Sequence, residues 1–377
     1  MKIGFDISYL QKRRAGIGRY TEGLLESLLN LGSGHEFILH GWSFSLDRRA
    51  LREVAGDTVR LDAARIPGPL KRLYWNRVRF PSIETFLGSI DVFQSMDPLV
   101  PPALHARTVA TVHDLAIWTC PRFVQKKVLR LGDAVRRSLT RADAIITPSE
   151  SIKTEIMETL SLPSSKIHAI PPAVNPSFSL TDEAGRDRSV LAKFQIREPY
   201  ILHVGTLEPR KNTASVIRAF AILRELHTSA VQLVLAGKKG WMYDDVLQAL
   251  RDSPVRADIR QLDYVSDQDL SSLYRRAGVF VFPSYYEGFG SPLVEAMSSG
   301  APVITSDIPA LRETVARAAR LVHPGRVEEI ASALAEVLDN ASTRDNLVQL
   351  GIQRVLELRA AHSGQRLLAL YEGLAAQ

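Results

Sequence analysis

The stretch PSYYEGFGSPLVEAMSSGAPVITSD, from Pro283 to Asp307, carries two glutamates, Glu287 and Glu295, eight positions apart. The apolar residues 278–283 just before the first glutamate have the pattern of a buried strand, and the residues around the second one begin a helix. Residues 301–305 then predict the next strand. The stretch therefore predicts a strand–loop–helix–strand unit, which is the repeating element of a doubly wound parallel sheet.

The loop between the two glutamates is suited to hold a ligand. Gly288 and Gly290 let the backbone come close to a bound molecule, and Pro292 lies near the helix start, where its missing N–H is not needed. Free N–H groups and the positive end of the helix lie beside the same loop, and carboxylates accept hydrogen bonds from hydroxyls such as those of a sugar or a ribose. An ordinary helix start with acids in its first turns is the alternative, but it does not explain the Gly-Phe-Gly run.

Length and composition predict two globular domains. A chain of 377 residues, 45% of them apolar, is too long for one ordinary core. Its one cysteine, Cys120, cannot form an internal disulfide, which fits a reducing compartment. No apolar run reaches the length of a membrane span, and residues 1–6 have the pattern of a strand rather than of a signal peptide.

The excess positive charge lies in the first half of the chain. Residues 1–180 hold 24 Lys and Arg against 17 Asp and Glu, whereas the remainder holds 23 against 24. This imbalance predicts an anionic partner for the first half, either a phosphorylated molecule or an anionic membrane surface. The basic surplus lacks the interleaved aromatic residues of a single-strand platform, so we expect no nucleic-acid partner.

Strand and helix patterns alternate along both halves of the chain. Strands are predicted at 2–7, 36–40, 91–94, 108–112, 144–147, 200–204, 231–235, 259–262, 278–283 and 301–305. Helices are predicted at 19–31, 123–142, 150–159, 213–227, 244–252, 267–277, 327–340 and 343–373. The alternation is typical of an α/β fold with parallel sheets.

A polar interval divides the alternation into two domains. Residues 181–198 lack an apolar pattern and are predicted to be a linker. The predicted domains are therefore an N-terminal Rossmann-like domain at 1–180 and a C-terminal one at 199–355. Residues 356–377 form the remaining helix.

Two adjacent cations follow the first strand of the second domain. Arg210 and Lys211 would lie at the carboxyl end of the strand at 200–204, where doubly wound folds bind ligands. The planar fork of an arginine and the point charge of a lysine both suit a diphosphate. A solvated basic loop is the alternative.

Three features of the first half are candidates for a second part of the site. Gly16 and Gly18 open a helix after the first strand, an arrangement that suits an anionic group but also an ordinary tight turn. His113, followed by Asp114, ends a predicted central strand, although a lone histidine is more often structural. Ser149 is predicted to be a helix N-cap, with a contact to an acceptor as the alternative.

Two segments mix cations with large apolar residues. Residues 65–80 include Trp75 and Phe80 among basic side chains, and residues 122–131 form a basic amphipathic stretch. Both are typical of contact with anionic lipid, although an ordinary helix with a solvated basic face fits the second as well.

The glutamate pair and its surroundings resemble the E-x7-E signature of retaining nucleotide-sugar glycosyltransferases, and of family 4 in particular. The residues around the pair also match, since Ala296, Met297, Gly300, Pro302, Val303 and Asp307 all fit the family pattern. The resemblance spans most of the chain and is strongest at 200–313. It implies the GT-B fold, with two Rossmann-like doubly wound domains facing a central cleft and a C-terminal helix that crosses back to the N-terminal domain.

The resemblance also implies roles for individual residues of the second domain. Glu287 would lie beside the transferred sugar, Glu295 would hold the ribose of the nucleotide, and Lys211 would bind the diphosphate. Many members carry an arginine at the position of Thr206, and Arg210 is expected to take its part. The donor-binding residues implied in this domain are Gly205, Thr206, Arg210, Lys211, Val265, Gly288, Phe289, Gly290, Ser291, Leu293 and Glu295.

In the first domain the resemblance implies one further donor contact and the acceptor site. Gly16 and Gly18 would face the donor, and Arg19 would meet an acceptor phosphate. His113 would be the residue of this domain closest to the transferred sugar, with Asp114 supporting the site. Glu287, His113 and Asp114 are thus the expected catalytic residues.

The motifs together look like those of bacterial mannosyltransferases of polysaccharide and O-antigen assembly. That resemblance implies transfer of mannose from GDP-mannose to a saccharide acceptor linked to a polyprenyl diphosphate, at the cytoplasmic face of the membrane. A rhamnosyl or other hexosyl transferase using a dTDP- or UDP-sugar and a sugar-nucleotide epimerase are the alternatives. We expect no cofactor and no required metal ion, because cations and helix ends would neutralise the diphosphate.

Overall fold

A computed structural model describes residues 1–10, 16–31, 34–41, 60–63, 75, 80–182, 185–226, 230–359 and 361–377. The chain divides into two compact units. The first unit consists of Met1–Ala173 together with Ala361–Gln377, and the second of Val174–Ala360. Residues 11–15 and most of the segment 65–80 lie outside the described residues.

The first unit begins with a seven-stranded parallel sheet and its connecting helices. Its elements in chain order are β1 (Lys2–Asp6), α1 (Gly16–Leu29), β2 (Glu36–Gly41), β3 (Arg60–Ala63), α2 (Glu84–Leu87), β4 (Val92–Gln94), β5 (Arg107–Thr111), α3 (Ala116–Thr119), α4 (Lys126–Leu129), α5 (Gly132–Arg141), β6 (Ala144–Thr147), α6 (Glu150–Leu160) and β7 (Ile167–Ala169). The strand order is β3-β2-β1-β4-β5-β6-β7, so the direction of winding reverses between β1 and β4.

The second unit repeats this plan with six parallel strands. Its elements are α7 (Arg186–Phe194), β8 (Tyr200–Val204), α8 (Thr213–Leu226), β9 (Gln232–Ala236), α9 (Asp244–Asp252), β10 (Ile259–Leu262), α10 (Asp267–Arg276), β11 (Val279–Phe282), α11 (Ser291–Ser298), β12 (Val303–Ser306), α12 (Pro309–Val315), β13 (Arg320–Val322), α13 (Val327–Asp339) and α14 (Ala341–Arg359). The strand order is β10-β9-β8-β11-β12-β13, and here the winding reverses between β8 and β11.

The apolar runs of the sequence explain why these strands are central. Every residue of β8, β9 and β11 is buried, because helices cover both faces of a parallel sheet. Alternate residues of β11 enter two separate cores: Phe280 and Phe282 pack into one and Val279 and Val281 into the other. The predicted α/β class with two doubly wound domains is thus confirmed.

The chain returns to the first unit at its end. Helix α15 (Ser363–Ala375) packs on α1, and Leu367 and Tyr371 are fully buried in the core of that unit. The Tyr371 hydroxyl donates a 2.9 Å hydrogen bond to Oε1 of Gln94 in β4. A Cβ on Gly364 would lie 2.6 Å from the backbone oxygen of Ser27, so the two helices touch at that point.

Three of the predicted segments have a different structure. The helix predicted at 123–142 is interrupted, because Val124 and Gln125 are extended and α5 starts only at Gly132. The helix predicted at 343–373 is two helices, with His362 in a left-handed conformation between them. The segment 181–198, predicted to be a linker, contains α7, which packs on α10 of the second unit.

The polar composition of α7 is explained by its ion pairs. Asp187 accepts hydrogen bonds from Arg275 of α10, with the shortest at 2.7 Å, and Asp269 of α10 binds Arg186 and Lys193 at 2.8 and 2.6 Å. These pairs let a segment without a clear apolar pattern form a helix on the second unit. None of the helices in the described parts of the chain is long and apolar enough to cross a membrane.

Candidate active site

Two loops meet at the winding reversal of the second unit. The first follows β8 and contains residues 205–212, and the second follows β11 and contains residues 283–290. β8 and β11 are paired neighbours, so their carboxyl ends lie side by side. This is the position where open α/β sheets bind their ligands.

Direct hydrogen bonds hold the two loops together. The backbone N–H of Tyr285 donates to the carbonyl of Arg210 at 2.9 Å. The Asn212 side-chain amide donates to the carbonyls of Pro283 at 3.0 Å and Pro324 at 2.6 Å. Asn212 has φ +60°, a left-handed conformation that asparagine tolerates better than most residues. The relative placement of the loops is therefore fixed by backbone and amide groups.

Four charged side chains from these loops form one buried cluster, consisting of Glu208, Arg210, Lys211 and Glu287. Lys211 Nζ lies 2.5 Å from Oε1 of Glu287, and Arg210 Nη1 lies 3.1 Å from its Oε2. Arg210 also donates through Nε and Nη2 to Oε1 of Glu208, at 3.1 and 3.0 Å. The cluster contains two positive and two negative groups, so its charges balance.

Burial and pairing act against each other in this cluster. Burial alone would raise the pKa of Glu287, but the charges of Lys211 and Arg210 outweigh it and hold that pKa below its usual value. Burial lowers the pKa of Lys211, partly offset by the charge of Glu287. Burial also raises the pKa of Glu208 despite its two cationic neighbours. Lys211 Nζ lies 5.0 Å from the centre of the Phe282 ring, which adds a cation–π contact.

The second glutamate of the motif lies on α11, apart from the charge cluster. Glu295 is buried, and its Oε2 accepts a 3.2 Å hydrogen bond from the hydroxyl of Tyr274 on α10. Gly290, at φ +87°, is the residue before α11, and Pro292 lies in the first turn, as the sequence predicts. Ser291 is the first residue of this helix and is partly exposed.

Three of the residues implied as donor contacts have side chains in the hydrophobic core. Val265, Phe289 and Leu293 are all buried in the same apolar cluster of the second unit. The carbonyl of Phe289 accepts a 2.6 Å hydrogen bond from the hydroxyl of Thr314. Any contact of these residues with a ligand must therefore use their remaining backbone groups, as the resemblance implies for the loop after Glu287.

Glycines permit a very close approach of two loops beside the cluster. Gly205 and Gly237 end β8 and β9, and both have φ +153°. A Cβ on Gly237 would lie 1.9 Å from the carbonyl oxygen of Gly205, so no larger residue fits. A Cβ on Gly205 would lie 3.7 Å from the stem of Lys211. Thr206 follows in the same loop and is partly exposed.

In the first unit, His113 lies after β5 and packs against α1. Its ring meets the ring of Tyr20 edge-on, with 5.2 Å between centroids, and its Nε2 lies 3.2 Å from the carbonyl of Met96. A carbonyl only accepts, so Nε2 carries the proton and Nδ1 is the acceptor of the neutral ring. Burial lowers the pKa of His113, which keeps the ring neutral at pH 7.

The other predicted residues of the first unit have local structural roles. Asp114 Oδ1 accepts the backbone N–H of Ala116 at 3.0 Å, where α3 begins. Ser149 is the N-cap of α6 and accepts the N–H of Ile152 at 3.2 Å, which confirms the predicted cap. Gly16 and Arg19 lie in the first turns of α1.

Gly18 lies in the same turns of α1 and is buried. The contact between this helix and His113 is made by Tyr20, the residue after Arg19.

Sequence reasoning missed four residues that shape the site. Glu208, Asn212 and Tyr274 form hydrogen bonds with predicted site residues or with their loops. His203 connects β8 to β11 and to the start of α8. His203 contacts the Val281 carbonyl and the Thr213 hydroxyl, both at 3.0 Å, and burial lowers its pKa to about 4. Glu208 lies two positions before Arg210 and Asn212 directly follows Lys211, so their place in the sequence was the one signal that pointed to them.

Among the residues that the structure describes, no group of three or more His, Cys, Asp or Glu side chains is arranged to hold a metal ion. The cluster instead offers two buried cations and two carboxylates at one sheet edge. Such an arrangement can bind an anionic group and accept hydrogen bonds from hydroxyls.

Comparison with protein families accounts for both units. Residues 190–354 match the family model described as glycosyl transferases group 1, and residues 14–178 match the model described as glycosyltransferase family 4. An O-antigen chain mannosyltransferase B of Escherichia coli is 31% identical over 363 residues, covering 93% of this chain and 94% of that protein. The O-antigen chain mannosyltransferase RfbU of Salmonella typhimurium is 30% identical over 248 residues, 65% of each.

Solved structures support the fold. A sucrose-phosphate synthase from Thermosynechococcus elongatus aligns over 100% of both chains with a TM-score of 0.79 and 20% identity. Anabaena HepE, solved in complex with UDP and glucose, aligns over 100% of both chains with a TM-score of 0.73 and 17% identity. From the match along nearly its whole length and the architecture of its two units, we conclude that this chain belongs to the family 4 glycosyltransferases and has the GT-B fold.

Proposed function

We propose that this protein is a retaining mannosyltransferase of O-antigen synthesis that uses GDP-mannose as its donor. The observation that carries the proposal is the 31% identity to an O-antigen mannosyltransferase over 93% of the chain. The buried cluster that includes Glu287, Arg210 and Lys211 supports a sugar nucleotide as the donor. Its cations can bind the diphosphate, and its carboxylate can accept hydrogen bonds from sugar hydroxyls.

Each group of the second unit has a proposed role in this reaction. Arg210 and Lys211 bind the diphosphate and stabilise the charge that develops on it as the bond to the sugar breaks. Glu287 accepts hydrogen bonds from the transferred sugar, and Glu295 accepts them from the ribose. The backbone N–H groups of the Gly288–Gly290 turn complete the donor site.

In the first unit, the proposed role of His113 is a hydrogen bond to a hydroxyl of the sugar. Its neutral ring would accept through Nδ1, and Asp114 holds the turn that follows it. Arg19 is proposed to meet a phosphate of the acceptor, which we propose is a saccharide linked to a polyprenyl diphosphate.

The donor is tested by transfer assays with GDP-mannose, UDP-glucose and dTDP-rhamnose, each with and without a saccharide acceptor. We expect mannose to be transferred from GDP-mannose with its anomeric configuration kept, as read by NMR of the product. Transfer from a UDP- or dTDP-sugar instead would replace the proposed donor. Conversion of the donor without any acceptor would show an epimerase.

We propose that the diphosphate is neutralised by protein cations, without a required metal ion or other cofactor. The pair Arg210 and Lys211, both of them largely buried, supports this proposal. Transfer should continue in excess EDTA. A loss of activity that only magnesium restores would contradict the proposal.

We also propose that the enzyme acts at the cytoplasmic face of the membrane, bound through the basic face of α4 and α5. The exposed cations of this face are Lys126, Lys127, Arg130, Arg136 and Arg137. Asp133 is an exposed acid among them. Anionic lipid attracts such a face by about 1 kcal/mol per cation. Trp75, in the other segment suggested by the sequence, is 5% exposed and packs in a core cluster, so it does not support membrane contact.

Vesicle co-sedimentation tests the membrane proposal. The wild type should bind vesicles containing phosphatidylglycerol and leave pure phosphatidylcholine vesicles unbound. The triple change Lys126→Glu, Lys127→Glu and Arg130→Glu should abolish binding. The matched control changes the exposed Arg218, Arg317 and Arg359 of the second unit to Glu, which alters the net charge equally. Equal loss in both variants would show a general charge effect.

A further inference from the structure

The balanced cluster in the second unit has a consequence for donor binding. Arg210 Nη1 and Lys211 Nζ direct hydrogen bonds at Glu287, at 3.1 and 2.5 Å. The side chains of Arg210, Lys211 and Glu287 are 17%, 13% and 8% exposed. Each of the two cations therefore already directs a hydrogen bond at a carboxylate of the protein, in the place where a diphosphate would bind.

A diphosphate and the Glu287 carboxylate cannot share these cations without a large repulsion. Like charges within a few ångströms disfavour each other strongly in a buried site, where water screens them little. One of the two anions must move away when the other arrives. Glu287 lies in the loop 283–290, and Gly288 and Gly290 separate it from α11. Its carboxylate can accept hydrogen bonds from sugar hydroxyls if the bound molecule carries them.

We propose that Glu287 is the internal counter-ion of Arg210 and Lys211, and that the donor diphosphate displaces it and frees its carboxylate for the sugar. This inference rests on the proposed use of a sugar nucleotide. A complete donor compensates for the broken ion pairs, because its sugar offers hydroxyls to the released carboxylate. A nucleoside diphosphate without the sugar offers none.

The exchange also explains how the product leaves. After transfer, the nucleoside diphosphate keeps Arg210 and Lys211, while Glu287 has lost its partner on the sugar. A buried carboxylate without a partner is unfavourable, so Glu287 competes for the cations again. The returning ion pairs weaken the hold on the product.

Glu208 has a different part in the cluster, as a positioning residue for Arg210. It is 1% exposed and stands two positions from Arg210 in the same turn, where the Lys211 N–H also donates to its backbone carbonyl at 3.0 Å. Its Oε1 accepts from both Nε and Nη2 of Arg210, whereas Nη1 donates to Glu287 and, at 3.0 Å, to the carbonyl of Tyr286. Glu208 therefore stays with Arg210 while Glu287 exchanges.

The two glutamates give a matched pair of variants. Isothermal titration calorimetry would compare wild type, Glu287→Gln and Glu208→Gln, with GDP, UDP, dTDP and inorganic pyrophosphate as probes. Each variant removes one negative charge from the same cluster. Displacement predicts that Glu287→Gln binds the diphosphate about tenfold more tightly than wild type. Glu208→Gln should bind with equal or lower affinity, because Arg210 loses its anchor.

An affinity of Glu287→Gln that equals or falls below that of wild type would overturn the proposal. A gain of the same size in Glu208→Gln would overturn it too, since it would show only the removal of charge. The pyrophosphate arm does not depend on which base the enzyme reads.

A crystal structure of the wild type with the nucleoside diphosphate tests the same exchange without a variant. The distance between Lys211 Nζ and Glu287 Oε1 should lengthen from 2.5 Å to beyond about 4 Å, the limit of an ion pair. An unchanged distance with phosphate bound would refute the exchange. Failure of sugar transfer in the wild type would instead count against the proposed function, which separates the two conclusions.

Discussion

The two units hold their candidate site residues in opposite electrostatic settings. In the second unit, Glu287, Arg210 and Lys211 are charged groups buried together and bonded to one another. In the first unit, His113 is a neutral ring held by a carbonyl, and Asp114 is engaged with a helix start. The candidate residues of the second unit are thus held in place by ion pairs with one another, whereas those of the first unit are held by hydrogen bonds to the backbone. Substitutions in the second unit should therefore have the larger effects.

The strongest test of this comparison is Glu287→Gln. We expect kcat to fall about a thousandfold, because the carboxylate proposed to contact the sugar is lost. Radiolabelled transfer from the donor measures it, with Glu287→Asp as a charge-preserving variant. The exposed Glu328 gives a matched control, since Glu328→Gln should transfer at the wild-type rate. Near-normal turnover in Glu287→Gln would remove this residue from the reaction.

Lys211→Met comes next. The change keeps an unbranched side chain that is one atom shorter and removes a charge-assisted hydrogen bond, so the KM for the donor should rise about fiftyfold. Steady-state kinetics at varied donor concentration would show it. The exposed Lys193→Met provides a comparison at a lysine outside the cluster. A KM unchanged from that of wild type would mean that the diphosphate binds elsewhere.

His113 should give a smaller effect with a distinct pH dependence. Removing its proposed hydrogen bond by His113→Phe, which has no acceptor, should lower kcat/KM about tenfold. Burial lowers the pKa of His113, so the wild-type rate should respond to this group only on the acid side of the usual histidine range. It should fall at lower pH, as protonation removes the Nδ1 acceptor, and the variant should lack that acid limb. An acid limb identical in both proteins would assign it to another group.

The smallest expected effect is at Ser149. Ser149→Ala removes the cap of α6 and should lower the free energy of unfolding by about 1 kcal/mol, measured in urea. Ser149→Asp keeps a capping oxygen and should recover that loss. If the KM for the acceptor stays at the wild-type value in both variants, Ser149 is a cap alone. A raised KM in a variant of full stability would support the predicted acceptor contact.

The sequence predicted the fold where apolar runs were long enough to be read. β6 and β8 have the predicted bounds, because buried parallel strands appear as largely apolar segments. β7 and β13 were missed, since three residues carry too little pattern. α12 was missed because it starts with Pro309, which suits a first helical position but reads as a break in the chain.

The candidate site was only partly readable for a related reason. Glu287, Arg210 and Lys211 carry charge in a recognisable motif, so their types and spacing indicated a site. Which carboxylate pairs with which cation depends on how two loops are joined, here through Asn212 and the backbone of Tyr285. That information is tertiary, and Glu208 stayed hidden although it stands two positions from Arg210.

The return of α15 to the first unit bears on the order in which the chain can fold during synthesis. The core that surrounds β1 includes Leu367 and Tyr371, which are translated after the whole of the second unit. The second unit is continuous from Val174 to Ala360, so all of its parts emerge earlier. The first unit is thus translated first but completed last. A stop codon between residues 360 and 367 would leave a complete second unit attached to a first unit that lacks Leu367 and Tyr371 in its core.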